Sequence, residues 1–406
     1  MNARSDVQLD NQLDNQLDTP VLLHRTEQLP TGLLELALYE GADELDALLG
    51  FAARANAKRG FLFVSKVLGK HWPVPPRRML AAHARLASGV PAGDGPTLFI
   101  AMAETAVGLG QGVFEAWLRA NPGREALFLQ TTRYRVGTGP IIEFEEAHSH
   151  APRQFLHMPA GEHEQRLLLR ARTIVLVDDE ASTGNTFLNL TRACQRLNPA
   201  LERVHLAVLA NFMGRAATEG LTARFGLPAT MGALVAGEYR FQPSDCPLDA
   251  APAQRYDAQA ERGASSVFGR LGLARALRAP QALARRLAAD IAPHHKVLVL
   301  GTGEFMHVST LLGAALEEHG VDVAVQSTTR SPILTWGAVS QALTFPDNYG
   351  EGIANFLYNV APGQYDHVFV CHETPAHAPL HAFARTLDAR LFHFHTEDHV
   401  EEVPVR

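Results

Sequence analysis

Two adjacent carboxylates, Asp178 and Asp179, are followed within eight residues by a run of small and hydroxyl side chains, Ala181, Ser182, Thr183, Gly184, Asn185 and Thr186. Small residues and Gly184 let the backbone approach a ligand closely, and successive amide N–H groups at a helix start can cradle a phosphate. Ser182, Thr183 and Thr186 add hydroxyl donors. Carboxylates beside a phosphate would repel it. One step away, Asp178 and Asp179 can accept hydrogen bonds from a sugar diol or face a Mg²⁺-bound group. A phosphate cradle and a diol clamp in one loop describe a ribose 5-phosphate site.

Such a loop needs elements to hold it. Residues 174–177, Ile-Val-Leu-Val, read as a strand buried on both faces, the habit of a central parallel strand. Residues 187–197 have the apolar spacing of an amphipathic helix. The loop thus lies where a strand ends and a helix begins, the usual ligand position in open α/β sheets. A bland alternative is an acidic strand end in which Ser182 or Thr183 caps the helix. The order of four apolar residues, two acids and a Thr-Gly-x-Thr close resembles the signature loop of type I phosphoribosyltransferases. That resemblance implies Mg²⁺ as cofactor, with Asp178 and Asp179 serving it indirectly through Mg²⁺-bound phosphoribosyl pyrophosphate.

Composition sets the frame. The chain has 406 residues, 46% hydrophobic, room for two or three domains with sizeable cores. A formal net charge of −7 argues against a nucleic-acid binder relying on a basic surface. No apolar run reaches membrane-spanning length, and no basic start with an apolar core opens the chain. Cys194, Cys246 and Cys371 are scattered without metal-like spacing, so a reduced cytoplasm is the expected compartment.

In chain order, residues 1–19 form a polar tail with a four-residue leucine echo, expected to be disordered. A strand at 33–39 and a helix over 42–54 come next. Residues 58–73 carry Ser65, Lys66 and Lys70 within an aromatic and aliphatic stretch; by position they resemble the segment that closes over the base in orotate phosphoribosyltransferase-like enzymes. The resemblance implies that these three lie near the acceptor, against the plainer reading of a solvated lysine surface. A helix at 79–88 leads to a strand at 97–102, a small loop, and a helix at 111–119. In the resembling family the equivalent loop, here Ala103, Glu104 and Thr105, holds pyrophosphate. Glu104 is odd there unless a cation intervenes; capping of the helix is its plainer role.

A third strand, 126–134, ends on Arg133, whose planar fork suits pyrophosphate. Residues 135–161 form a long loop, matching by position the family's mobile catalytic lid and offering Arg135 and Arg153 beside His148 and His150. A further strand at 203–211 and a helix at 218–225 complete an alternation that demands a parallel sheet.

From 241 the texture turns Pro- and Asp-rich, and 269–286 reads as an Arg/Ala/Leu helix with a solvated basic face. Strands at 296–300, 321–326 and 366–371 then suggest a Rossmann-like unit whose loops gather Gly301, Thr302, Gly303, Arg330, Ser331 and His372 around a phosphorylated ligand, with 345–352 closing over it. Gly301-Thr-Gly303 is too short for a dinucleotide fingerprint. The tetrapeptide at 329–332, Thr-Arg-Ser-Pro, resembles the namesake motif of the TRSP domain found behind phosphoribosyltransferase domains in bacterial tellurium-resistance-associated gene clusters. His393 and His395 would share one strand face, a weak metal pattern set against ordinary core or surface histidines.

The expectation is an α/β protein: a parallel-sheet type I phosphoribosyltransferase core with a hood, plus a second, smaller Rossmann-like α/β domain. The divisions expected are a tail at 1–19, the transferase domain at 20–240, an extension at 241–280 and the C-terminal domain at 281–406. The function implied by the resemblance is Mg²⁺-dependent transfer of ribose 5-phosphate from phosphoribosyl pyrophosphate to a base-like acceptor, in the biosynthesis of a nucleoside-like metabolite. Asp178, Asp179 and Arg133 would be catalytic, 181–186 would hold the 5-phosphate, and Ala103, Glu104, Thr105, Arg135 and Arg153 the pyrophosphate. A homodimer is expected, with neither nucleic acid nor membrane as partner. The competing reading is a non-catalytic sensor of phosphoribosyl pyrophosphate or a nucleotide, which Glu104 keeps open.

Overall fold

The computed structural model describes residues 20–56, 59–137, 139–145, 153–244 and 265–406. The expected tail, His148 and His150, and most of the Pro-rich extension fall outside them, as does the side chain of Arg153.

The strands are β1 (Leu23–Leu29), β2 (Gly32–Glu40), β3 (Leu49–Ala53), β4 (Phe61–Ser65), β5 (Thr97–Ala101), β6 (Ala126–Gln130), β7 (Ile141–Glu145), β8 (Arg153–His157), β9 (Thr173–Ala181), β10 (Arg203–Asn211) and β11 (Ala229–Pro243). A second set follows: β12 (Lys296–Gly301), β13 (Asp322–Ser327), β14 (Ala342–Pro346), β15 (Ala354–Tyr358), β16 (His367–His372), β17 (Ala389–Phe394) and β18 (Val400–Val403). The helices are α1 (Leu45–Leu48), α2 (Pro76–Ser88), α3 (Val107–Ala120), α4 (Glu162–Arg170), α5 (Asn185–Leu197), α6 (Arg215–Ala223), α7 (Gln281–Ala289), α8 (His307–Glu318) and α9 (Ala378–Thr386).

The first sheet runs β1-β2-β11-β10-β9-β5-β6. Its strands β11, β10, β9, β5 and β6 are mutually parallel, and β2 and β1 are added antiparallel. Ile174, Val175, Leu176 and Val177 are wholly buried, as a central strand covered on both faces requires. Parallel pairing brings the loops after β5, β6 and β9 to one edge. The second sheet, β13-β12-β16-β17-β18, is parallel except for β18.

Four local expectations change. Over 42–54 there is only a 3₁₀ turn and the single turn α1 before β3 begins. Gly50 is a poor helix former, and Phe51 pairs across to Phe63 in β4, so the aromatic ladder wins. Residues 270–280 are not helical; Gly269 and Gly272 adopt φ of 107° and 91°, and helix α7 starts only after Pro280. Residues 135–161 hold the hairpin β7–β8, tied to the main sheet by paired bonds between Thr132 and Phe155, each 2.9 Å. Strands β1 and β11 were not foreseen.

The two sheets are knitted together. Val74 exchanges backbone bonds of 3.0 and 2.8 Å with Val325 of β13, and Ser327 N donates to Gly69 O at 2.7 Å. In return, Leu334 N and Ala338 N donate to Ala53 O and Phe51 O of β3, at 2.9 and 2.8 Å. Val74 and Met79 share a hydrophobic cluster with Val297, Val299 and Val325. Val74 and Met79 thereby extend the apolar interior of the second sheet into the first domain.

Candidate active site

At the end of β9 the chain leaves the core. Asp178, Asp179 and Glu180 are half-buried, Ala181 is buried, and Ser182 and Thr183 are exposed. Gly184 caps α5 with φ 71°, and a Cβ there would lie 2.2 Å from Leu221 Cδ2. Both backbone and packing therefore require glycine. The first-turn N–H groups of α5 have no acceptors within the helix, which leaves residues 182–186 as an open anion cradle. Asn185 accepts from Arg224 at 3.3 Å, and Thr186 is half-buried.

Asp179 N donates to Asp178 Oδ1 at 2.9 Å, which fixes one carboxylate against the turn. Thr105 Oγ1 donates to Asp179 Oδ1 at 3.1 Å, joining this loop to the one after β5. A third acid, Glu180, was passed over in the sequence. Arg59 Nη2 reaches both its oxygens, at 2.5 and 2.6 Å. Burial nevertheless raises the Glu180 carboxyl above the usual range, helped by neighbouring Asp179. Arg54 stands close by; burial, then the like charge of Arg59, lowers its affinity for a proton.

The loop 103–105 is held from behind. Ala103 N donates to Thr131 Oγ1 at 2.8 Å, and Gln154 Nε2 of the hairpin donates to Ala103 O at 3.1 Å. Glu104 is buried, its carboxylate 3.2 Å from Lys70 Nζ and 3.9 Å from Arg330 Nε. Burial raises this carboxyl, but Lys70, Arg330 and Arg133 outweigh it and hold it below the ordinary range. The odd carboxylate is thus a buried ion-pair partner, not a bare charge facing a ligand. After β6, Arg133 is half-buried and its N–H donates to Glu304 Oε1 at 3.0 Å, while exposed Arg135 lies 4.7 Å over the Phe155 ring.

These loops therefore converge: a carboxylate pair, an exposed hydroxyl loop over a helix start, and two arginines beside a clamped turn. Residues 48–238 match a family model described as phosphoribosyl transferase, and residues 268–387 match the TRSP domain C terminus to PRTase_2. The chain thus carries a phosphoribosyl transferase domain followed by a TRSP domain. Similar solved structures include adenine phosphoribosyltransferase from Rhodothermus marinus, 14% identical, TM-score 0.31, covering 48% of this chain and 98% of that one. The Trypanosoma brucei adenine enzyme, in complex with AMP, pyrophosphate and ribose-5-phosphate, is 12% identical with TM-score 0.32, covering 47% and 78%. Orotate phosphoribosyltransferase from Mycobacterium tuberculosis is 14% identical with TM-score 0.27, covering 48% and 93%. No curated protein matches the chain.

The residues expected around the acceptor behave differently. Ser65 is buried and its Oγ accepts from Val67 N at 3.3 Å. Lys66 Nζ donates to Asp46 O at 2.8 Å and lies 5.7 Å over Trp72. Lys70 is wholly buried, donating to Gly303 O at 2.6 Å and Thr328 O at 2.9 Å besides Glu104. Its three donors are used inside the protein, so Lys70 is not an acceptor ligand. It is a rivet between the transferase and TRSP domains.

The second expected ligand site is also filled by protein. Gly301, Thr302, Gly303 and His372 are buried. Gly303 N donates to Thr328 Oγ1 at 2.9 Å, and Asn348 Nδ2 donates to Thr302 Oγ1 at 3.3 Å. Tyr349, from the turn-rich 345–352 stretch, stacks on Tyr134 at 4.4 Å. His372 Nδ1 meets Thr374 O at 2.6 Å, and burial lowers its pKa to about 3. Arg330 and Ser331 leave this group and turn to the transferase domain: Arg330 Nε lies 3.9 Å from Glu104, and Ser331 Oγ accepts from Arg54 at 3.2 Å. The six residues do not form one pocket, because loop 345–352 and the transferase domain occupy the space between them.

Arg270, expected on a solvated helix face, is 1% exposed. It bonds Glu304 at 3.0 Å and Glu373 at 2.7 Å. His393, His395 and Glu401 bring three ligand atoms within 4.8 Å of one another, the last two residues exposed.

Proposed function

We propose that this phosphoribosyltransferase moves ribose 5-phosphate from phosphoribosyl pyrophosphate to a base-like acceptor, as a step in making a nucleoside-like metabolite. The observation that carries the reading is the Thr105–Asp179 bond of 3.1 Å, which joins the two loops such a donor must span. In this reading residues 181–186 take the 5-phosphate, and Asp178 and Asp179 accept from the ribose hydroxyls. Arg133 and Arg135, with Thr105, face the pyrophosphate, where charge accumulates as the C1–O bond breaks and a C1–N bond forms. Hairpin β7–β8, bonded to Ala103 through Gln154, excludes water from the cationic ribosyl centre.

Magnesium suits this donor set, since paired half-buried carboxylates are hard oxygen ligands. Held by Asp178 and Asp179 through the ribose hydroxyls and by the pyrophosphate itself, it would neutralise the leaving group. The sensor reading rested on Glu104, and the pairing of Glu104 with Lys70 and Arg330 removes that support. Among the described residues no helix is long and apolar enough to cross a membrane.

The test is pyrophosphate release from Mg²⁺-phosphoribosyl pyrophosphate with a panel of purine, pyrimidine and pyridine bases. Release dependent on one base class, and abolished in Asp179→Asn, supports the reading. Tight binding of the donor without release on any base would favour the sensor.

A further inference from the structure

The TRSP tetrapeptide spans 329–332, and its arginine touches both segments assigned above to pyrophosphate. Arg330 N donates to Glu104 Oε1 at 3.3 Å, and its Nε lies 3.9 Å from Glu104 Oε2. The same guanidinium donates to Tyr134 Oη and lies 5.1 Å over that ring, one residue from Arg133. Its outer side is held by Glu351 at 2.6 Å. From Glu104 the contact passes to the next residue, Thr105, and through it to Asp179. Arg330 is 13% exposed, so these charges interact with little screening by water.

From this geometry we infer that the TRSP motif is a positioning element of the transferase site: Arg330 fixes loop 103–105 and the Arg133 turn for the pyrophosphate of the donor. The inference rests on the phosphoribosyltransferase reading above. Its physical basis is preorganisation. Fixed charges stabilise a leaving group without reorganising at the moment of reaction, and a small misplacement of such groups is costly. It also accounts for the motif's two directions of contact. Ser331 Oγ accepts from Arg54, which stands by Glu180 and Arg59, while Tyr358 Oη donates to Ser331 O at 2.7 Å and keeps the motif rigid from behind. A carboxylate in a pyrophosphate loop makes sense here as the anchor that a second domain grips.

A merely structural arginine would, when removed, loosen all ligands alike. A positioning arginine acts on one end of the donor only, because Arg330 bonds Glu104, Tyr134 and Glu351, and these lie outside the 181–186 loop. The experiment is calorimetric binding of three probes to the full chain: Mg²⁺-phosphoribosyl pyrophosphate, inorganic pyrophosphate with Mg²⁺, and ribose 5-phosphate. Arg330→Met keeps Glu104 paired with Lys70, so the fold has a remaining counter-charge. It should weaken the first two probes at least about tenfold and leave ribose 5-phosphate within about twofold. Glu351→Gln, a change at an exposed position that frees the outer side of Arg330, should give the same selective pattern in smaller measure and serves if Arg330→Met does not fold. Equal weakening of all three probes, or no weakening, overturns the inference alone. Failure of the unaltered chain to bind Mg²⁺-phosphoribosyl pyrophosphate at all overturns the functional reading and the inference with it.

Discussion

Removing the Arg270 guanidinium offers a sharp test of how the two domains are joined. Arg270 makes paired bonds to Glu304, at 3.1 and 3.0 Å, and to Glu373, at 2.7 and 2.8 Å, with a fifth to Ser265 O at 3.0 Å. The two carboxylates are 1% and 0% exposed. Glu304 also accepts from Thr132 Oγ1 and Arg133 N, so the cluster reaches from the TRSP domain to the end of β6. Arg270→Met leaves two buried carboxylates without their shared cation, a loss of about 3–5 kcal/mol. At roughly 2–4 °C per kcal/mol for a unit of 150–250 residues, the melting temperature should fall by about 6–20 °C. Thermal unfolding followed by circular dichroism measures it. Replacing the whole cluster, Arg270→Met with Glu304→Gln and Glu373→Gln, removes the stranded charges and should recover at least half of the loss. A single variant melting within about 2 °C of the unaltered chain, or a triple variant no better than the single, would refute the reasoning.

Asp179→Asn should cut pyrophosphate release by at least about a hundredfold with the melting temperature kept, since the residue is only half-buried at the strand end; unchanged turnover would contradict its proposed role. Gly184→Ala strains a φ of 71° and drives a methyl into Leu221, so it should cost about 2–4 kcal/mol and weaken ribose 5-phosphate binding. A denaturant midpoint equal to that of the unaltered chain would argue against that packing. Burial drives His71, His83 and His372 each down to about 3. Unfolded histidine titrates near 6.5, so between 6.5 and 3 the unfolded chain holds more protons and stability falls with pH, by up to about 1.4 kcal/mol per unit for each. Urea midpoints from pH 7 to 5 should drop, and His83→Gln should flatten the slope; a level profile in the unaltered chain would be the wrong sign for buried neutral histidines.

The strand, turn and helix around Asp178 and Asp179 were legible from residues alone. An apolar run, two acids and a Ser-Thr-Gly-Asn-Thr segment dictate strand, turn and helix through local chemistry, and Gly184 does sit at a left-handed φ. The alternation of strands and helices likewise dictated parallel pairing, which alone places the loops after β5, β6 and β9 on one edge. Short-range rules failed where a distant partner outweighed local preference. Residues 270–280 have helical composition, yet two buried glutamates more than thirty residues away hold Arg270 in a turn. Lys70 carries no mark in the sequence that separates a solvated lysine from one whose ammonium bonds Gly303, Thr328 and Glu104. Glu104 was legible as an anomaly but not as a solution, because its neutralising partners, Lys70 and Arg330, come from opposite ends of the chain. What the sequence by itself determined, then, was the strand, loop and helix that carry the proposed site, since these depend on neighbours within one segment. Only the tertiary structure put the TRSP arginine against Glu104 and Tyr134, because burial and charge pairing are properties of residues brought together from hundreds of positions apart.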